Sequence, residues 1–335
     1  MARFVKRLLL FLTPLVLLVG FGVYVDPLDR FEGWQPLPTV NANYRQVKLA
    51  DYLERSPRDY DALVLGSSRV MRLRGEYFAD YGYHSFNFGF NMARLEDLYC
   101  TLRLVLEHNR RRLRLVVIGL EPEMFHDRLG LHKQTVQLSE LAAYLPADLD
   151  LPAAGPGDTL KLLSDSTRLA FLALRLHLAG EEPGVEFALE PATGDYVVKP
   201  PPEDGIRVNP NILQTMHGIY SGFEEFSPAR VELFRRLVDL CAAADIQLVC
   251  FNTTNHPVLQ NFLEQTTGLA VVEELQRELC AAVDYPGFTY LDLGSVEAFD
   301  GDPDDFSDVA HIGSGNARLV VQHLLEAAEP PPTVP

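Results

Sequence analysis

Apolar residues along this chain gather in short runs bounded by charge on one side and by glycine, serine or asparagine on the other. Residues 62–66 (Ala-Leu-Val-Leu-Gly) follow Asp61 and end abruptly in Ser67, Ser68 and Arg69, and residues 113–120 are nearly all apolar at their centre. Runs of this length read as strands buried on both faces, as in a parallel sheet. Residues 84–90, 246–251 and 289–293 supply three further strands. Between them the apolar spacing turns helical, as at Leu95, Leu98, Leu102 and Val105. Helices are expected over 44–54, 94–108, 228–243, 257–282 and 314–327, with Ser227 ahead of Pro228 and Ser314 as caps. Strands alternating with helices predict an α/β protein: a flavodoxin-like three-layer α/β/α arrangement on a parallel five-stranded sheet.

The pattern sets domain bounds as well. Residues 61–126 and 227–328 form the α/β domain, and 127–226, where helical stretches (134–144, 159–178) and a hairpin candidate (184–199) replace the alternation, form an inserted cap. Residues 26–60 are a linker with a first helix, Trp34 lying in its Pro-, Asp- and aromatic-rich part, and 329–335 are a tail. Residues 1–25 differ in kind: Arg3, Lys6 and Arg7 precede an 18-residue uncharged stretch, 8–25. As a helix this spans about 27 Å, enough for a bilayer core. Basic residues on its N-terminal side put that end in the cytoplasm, so the expectation is an N-terminal transmembrane helix with the body extracytoplasmic, in the periplasm or at the cell surface. A cleaved signal peptide is the alternative, and it also exports the body.

Composition narrows the partners. The formal net charge is -17, and so acidic a surface repels polyanions, which excludes nucleic acid. Cys100, Cys241, Cys250 and Cys280 form no CxxC pair and read as buried small apolar residues. Asp300, Asp302 and Asp304 alternate as in a calcium loop, but Asp305 stands at the glycine position, His311 at the terminal glutamate position, and Pro303 intrudes. No metal or cofactor is expected.

A serine just beyond a buried strand, at the start of a helical turn, is placed for nucleophilic chemistry, because free backbone N–H groups there stabilise an oxyanion. Ser68 holds that place. Near the C-terminus Asp308 and His311 form a DxxH pair ahead of the last helix. The carboxylate can accept from the imidazole Nδ1–H, leaving Nε2 to take a proton from a serine, in the chain order Ser, Asp, His. Arg69, Asn87, Asn91 and His256 are candidates for oxyanion or substrate contacts, each with a structural alternative: ion pairing for Arg69, turn backbone for the asparagines, and a helix start at Pro257 for His256.

A strand-end Gly66-Ser67-Ser68 with a DxxH before the last helix resembles the SGNH/GDSL hydrolase superfamily. Ser67 replaces the family's usual Asp, the second block falls at 86–92 with Asn91 or Met92 at its glycine position, and the third, Gly119-Leu120-Glu121-Pro122, lacks the family's asparagine. With the N-terminal anchor, these blocks are similar to a membrane-anchored branch that includes the alginate acetylation proteins and the D-alanine transfer protein of teichoic acid synthesis. The resemblance implies Ser68, Asp308 and His311 as catalytic residues of an esterase or O-acyltransferase. Its substrate would be a cell-envelope polysaccharide, related glycan or acylated small molecule, handled beside a membrane-bound acyltransferase. A non-catalytic carbohydrate-binding or scaffold protein of an envelope assembly complex is the other class, favoured by the departures in the second and third blocks.

Overall fold

The computed structural model describes residues 2–25, 44–55, 59–109, 112–151, 167, 170–180, 188–190, 192–197, 206 and 208–328. The chain divides into two compact units, Met1–Val47 with Ala154–Glu186, and Lys48–Ala153 with Phe187–Pro335. In the first, helix α1 (Ala2–Val25) contains Pro14, and its end packs Phe21 and Val25 on Ala170 and Ala173 of the helical stretch 170–179. The helix expected at the N-terminus therefore forms. Among the described residues no helix is long and apolar enough to cross a membrane, so a helix stands where one is expected but its transmembrane character is not supported. The linker residues 26–43 with Trp34, the helical expectation over 159–166 and the tail 329–335 lie outside the described residues.

The second unit is mixed α/β around five parallel strands: β1 (Ala62–Gly66), β2 (Ser85–Gly89), β3 (Leu115–Leu120), and later β6 (Gln247–Asn252) and β7 (Phe288–Asp292). Their order is β2-β1-β3-β6-β7, the flavodoxin-like order in which the chain reverses its direction of travel between β1 and β3. The alternating side chains sort by face. Leu63, Leu65, Val116, Ile118, Leu248 and Cys250 join one core; Ala62, Val64, Leu115, Val117, Val249 and Phe251 join the other. Both faces are covered, which explains the near-continuous apolar runs.

Helix α2 (Tyr44–Glu54) precedes the sheet, α3 (Gly75–Ala79) and α4 (Leu95–Asn109) flank β2, and α5 (Lys133–Gln137) and α6 (Ser139–Ala142) follow β3. An antiparallel hairpin joins β4 (Ala188–Glu190) to β5 (Asp195–Val197), where a hairpin is expected. Helices α7 (Pro210–Tyr220), α8 (Pro228–Ala243), α9 (Pro257–Thr266), α10 (Leu269–Ala281) and α11 (Ser314–Ala327) complete the set. The single helix expected over 257–282 is two, because Thr267 is extended (φ -140, ψ -177) and Gly268 holds the cap position ahead of α10. Ser227 precedes α8 without a side-chain capping bond. Ser314 is the first residue of α11 rather than its cap; Gly313 holds the cap position, and the Asp305 carboxylate accepts the Asn316 N–H at 2.5 Å. All four cysteines are buried and free.

Candidate active site

The site grows from the C-terminal ends of β1, β2 and β3, where the reversal of strand order opens a crevice. After Gly66, Ser67 caps a single 3-10 turn, Ser68–Val70, by accepting the Arg69 N–H on its side-chain oxygen at 3.2 Å. Two glycines let this turn lie flat across the sheet end. Gly66 has φ +154, and a Cβ there would meet the Val70 methyls at 2.9 Å; a Cβ on Gly119 in β3 would meet Val70 Cγ1 at 2.3 Å and Thr253 Cγ2 at 2.9 Å. Asn87 of β2 clamps the turn from the other side, donating to Val70 O (2.8 Å) and Leu73 O (3.0 Å) and accepting from Gly89 N–H (2.7 Å). Asn87 is thus buried within the scaffold, where its amide is consumed by backbone; it does not line the cavity beside Ser68.

The DxxH pair lies on a hairpin that the sequence pattern did not reveal, β8 (Phe306–Asp308) against β9 (His311–Ile312), with Asp308 and His311 directly opposed. His311 Nδ1 lies 2.9 and 2.8 Å from the two Asp308 oxygens, so Nδ1 carries the proton and donates. Nε2 is left as an acceptor, and Ser68 Oγ lies 2.8 Å from it, across 243 residues of chain. Burial works against the Asp308 charge, but hydrogen bonds from His311 and from the Ala310 N–H (2.7 Å) outweigh it and hold the carboxyl below its usual range. Two ties fix the hairpin: Arg72 Nη1 donates to Ile312 O at 2.8 Å, and His256 N–H donates to Val309 O at 3.0 Å. The His256 ring caps α9 by accepting the Val258 N–H (3.1 Å) and packs edge-on against Phe306. His256 therefore supports the hairpin and stands outside the cavity lining.

Ser68, Asn91 and His311 are shared by two cavities of about 260 Å³ each. One is walled by Arg69, Met92, Arg94, Glu121, Glu123 and the α7 residues Ile212, Met216 and Ile219. The other is walled by Met71, Arg72, Tyr196, Ser307 and Asp308. Asn91 is exposed beside Met92, whose φ of 53 is a conformation bulky residues seldom adopt.

A buried polar cluster that sequence reasoning missed backs the first cavity. Glu121, the residue after β3, accepts from the Ser67 hydroxyl, and Glu123 accepts from the Tyr220 hydroxyl. Arg69 holds Glu123 at 3.5 Å and Thr253 Oγ1 at 3.2 Å. Burial disfavours the Arg69 charge, but Glu123 and Glu121 outweigh it, so the guanidinium holds its proton more firmly than usual. Arg69 is thereby an ion-paired wall residue. Glu121 is pushed up to about 7, chiefly by burial, with Arg69 opposing and Glu123 adding to the shift. The only sequence signal for Glu121 is a charged residue directly after an apolar run. In the acidic stretch 300–305, Asp302 Oδ1 accepts the Asp304 N–H at 2.9 Å and the Asp305 carboxylate accepts from α11.

No protein-family model matches the chain, and no curated protein does. Among solved structures it is similar to a GDSL-like lipase from Bacteroides thetaiotaomicron, at 10% identity over 85% of this chain and 95% of that one, with a TM-score of 0.37.

Proposed function

We propose that this protein is an extracytoplasmic serine esterase or O-acyltransferase of the SGNH type, working through an acyl-Ser68 intermediate on a cell-envelope polysaccharide or related glycan. The observation that carries the reading is the aligned chain Ser68 Oγ, His311 Nε2, His311 Nδ1, Asp308, with contacts of 2.8 to 2.9 Å throughout. His311 Nε2 takes the Ser68 proton as Oγ attacks the ester carbonyl, and Asp308 stabilises the imidazolium that results. The carbonyl electrons move onto its oxygen, where the Ser68 N–H, the first of its turn and without an intrahelical partner, faces developing charge. Collapse expels an alkoxide that recovers the proton from Nε2. The acyl group then passes by the reverse steps to a sugar hydroxyl or to water. Two cavities meeting at Ser68 and His311 suit a reaction in which acyl donor and acceptor approach from different sides. In this reading α7 covers the first cavity and excludes water, and a membrane-bound acyltransferase supplies the acyl group.

The same reading places the chain at a membrane through its first helix. Its support is Arg3, Lys6 and Arg7 ahead of 18 uncharged residues, together with exposed Val16, Leu17 and Tyr24 on α1.

One observation favours a binding protein without chemistry. Glu121 stands where the resemblance calls for an asparagine, and an ionised carboxylate there would repel an oxyanion. The upward shift of Glu121 reduces that repulsion, because a protonated carboxyl is neutral near pH 7. Hydrolysis of an aryl acetate by the purified protein and by Ser68→Ala separates the classes. The expected result is a loss of at least about 10²-fold in the variant; equal rates would remove Ser68 as nucleophile.

A further inference from the structure

The cavity shared by Ser68 and His311 has two arginines in its wall, and they are in opposite situations. Arg69 is committed, with Glu123 on one guanidinium nitrogen and Thr253 on another. Arg94, 8% exposed, makes no hydrogen bond or ion pair through its guanidinium among the described residues, and its Nε is buried without a partner. Its main chain, by contrast, is fixed: the Arg94 N–H donates to Asp97 Oδ2 at 2.8 Å, at the entrance to α4.

The acidic groups around Arg94 each hold a group other than its guanidinium. Asp97 accepts the Arg94 N–H and the Thr135 hydroxyl. Glu96 pairs with Arg230 Nε at 2.9 Å through Oε1, while its Oε2 is buried without a partner. Glu123 holds Arg69 and Tyr220, and Glu121 holds Ser67. A buried guanidinium nitrogen without a partner is costly, and burial together with the nearby Arg230 weighs against the charge more than Asp97, Glu123 and Glu96 favour it. A fold that fixes such a residue's backbone, binds away the neighbouring carboxylates and turns the residue into a cavity leaves a place for an anion to enter.

We infer that Arg94 is the recognition point for an oxyanionic group, a carboxylate or a phosphate, on the molecule that occupies this cavity. The inference rests on reading the cavity as the substrate site, and it narrows the substrate class to molecules carrying an acidic group close to the acyl ester. The planar guanidinium fork matches a carboxylate or phosphate through two parallel N–H donors, which a neutral sugar hydroxyl cannot replace. The apolar side chains of Met92, Ile212 and Met216 in the same wall would contact the non-ionic part of the ligand. They also exclude water, which strengthens the charge pairing.

The test measures binding rather than turnover. Inorganic phosphate and glucuronate are titrated separately into the full-length protein at constant ionic strength, with glucose as the neutral control, followed by ³¹P line broadening and by ¹H saturation transfer. At least one anion is expected to bind the wild type saturably, while glucose does not bind. Stronger binding of phosphate assigns a phosphoryl group, and stronger binding of glucuronate a sugar carboxylate. Arg94→Met is expected to weaken the anion about 10-fold or more. Absence of binding by both anions, or an unchanged affinity in Arg94→Met, overturns the inference. Should Arg94→Met fail to fold by circular dichroism, Arg94→Lys decides. It keeps the charge without the fork, so a several-fold loss is expected, and unchanged affinity overturns the inference. Because ester cleavage plays no part in this measurement, failure of the acyl chemistry and failure of the anion site are read separately.

Discussion

Glu121 shows how much one side chain alters the chemistry available at the end of β3. Held in the buried wall behind Ser67 and Ser68, its carboxyl is favoured in the protonated form, and its titration is raised from 4.5 to about 7. The stability it lends is therefore complete in acid and is lost as pH rises from about 4.5 through about 7, where the folded protein binds the proton that the unfolded chain has released. Glu121→Gln removes that proton. In urea unfolding from pH 5 to pH 8, the wild type is expected to lose stability relative to Glu121→Gln as the pH increases, other titrating groups being common to both. Parallel stability curves would show that Glu121 is ionised across this range. At this scale the sequence was legible where partners are near in the chain: Asp308 and His311 announce themselves by their spacing. Glu121 and Arg94 do not, because their roles depend on which carboxylates and hydroxyls the fold brings from β3, α4, α7 and α8.

At the scale of elements, the Ser68 turn is held by its neighbours more than by its own single turn. Asn87 joins it to β2 through two buried hydrogen bonds, to Val70 O and Leu73 O, and is itself held by the Gly89 N–H, while Gly66 and Gly119 let Val70 approach the sheet. Asn87→Ala leaves the Leu73 carbonyl and the Gly89 amide without their Asn87 partner in the interior, removes one of the two bonds to Val70 O, and is expected to cost about 2–4 kcal/mol in urea unfolding. Ser68-dependent ester cleavage should fall with it although Asn87 lines neither cavity. A cost below about 0.5 kcal/mol, the range of ordinary surface changes, would contradict the clamp. The strands were readable because cover on both faces demands apolar residues in sequence. The hairpin β8–β9, with strands of three and two residues, is too short to show a period, and only its tertiary ties to Arg72 and His256 define it. Helix α7, which brings Ile212 and Met216 to the cavity, lies in a stretch where Pro and polar residues obscure the pattern.

For the whole molecule, the strand order β2-β1-β3-β6-β7 explains why residues from six separate stretches meet at one place. The reversal between β1 and β3 opens the crevice, β1 delivers Ser68, β3 delivers Glu121, and the hairpin before α11 delivers Asp308 and His311 from the far end of the chain. The α/β class and the sheet could be read from alternating runs; the pairing of Ser68 with His311 could be read only as a possibility of chain order, since nothing local sets the distance between them. The proposed function turns on Ser68 as a nucleophile activated by His311. It is tested most directly by treating the full-length protein with a serine-reactive aryl phosphonate and mapping the modified peptide by mass spectrometry. One phosphonyl adduct is expected, on Ser68, absent from Ser68→Ala and at least about 10²-fold slower to form in His311→Ala. An adduct on Ser67, or labelling of Ser68 at the same rate in His311→Ala, would contradict it.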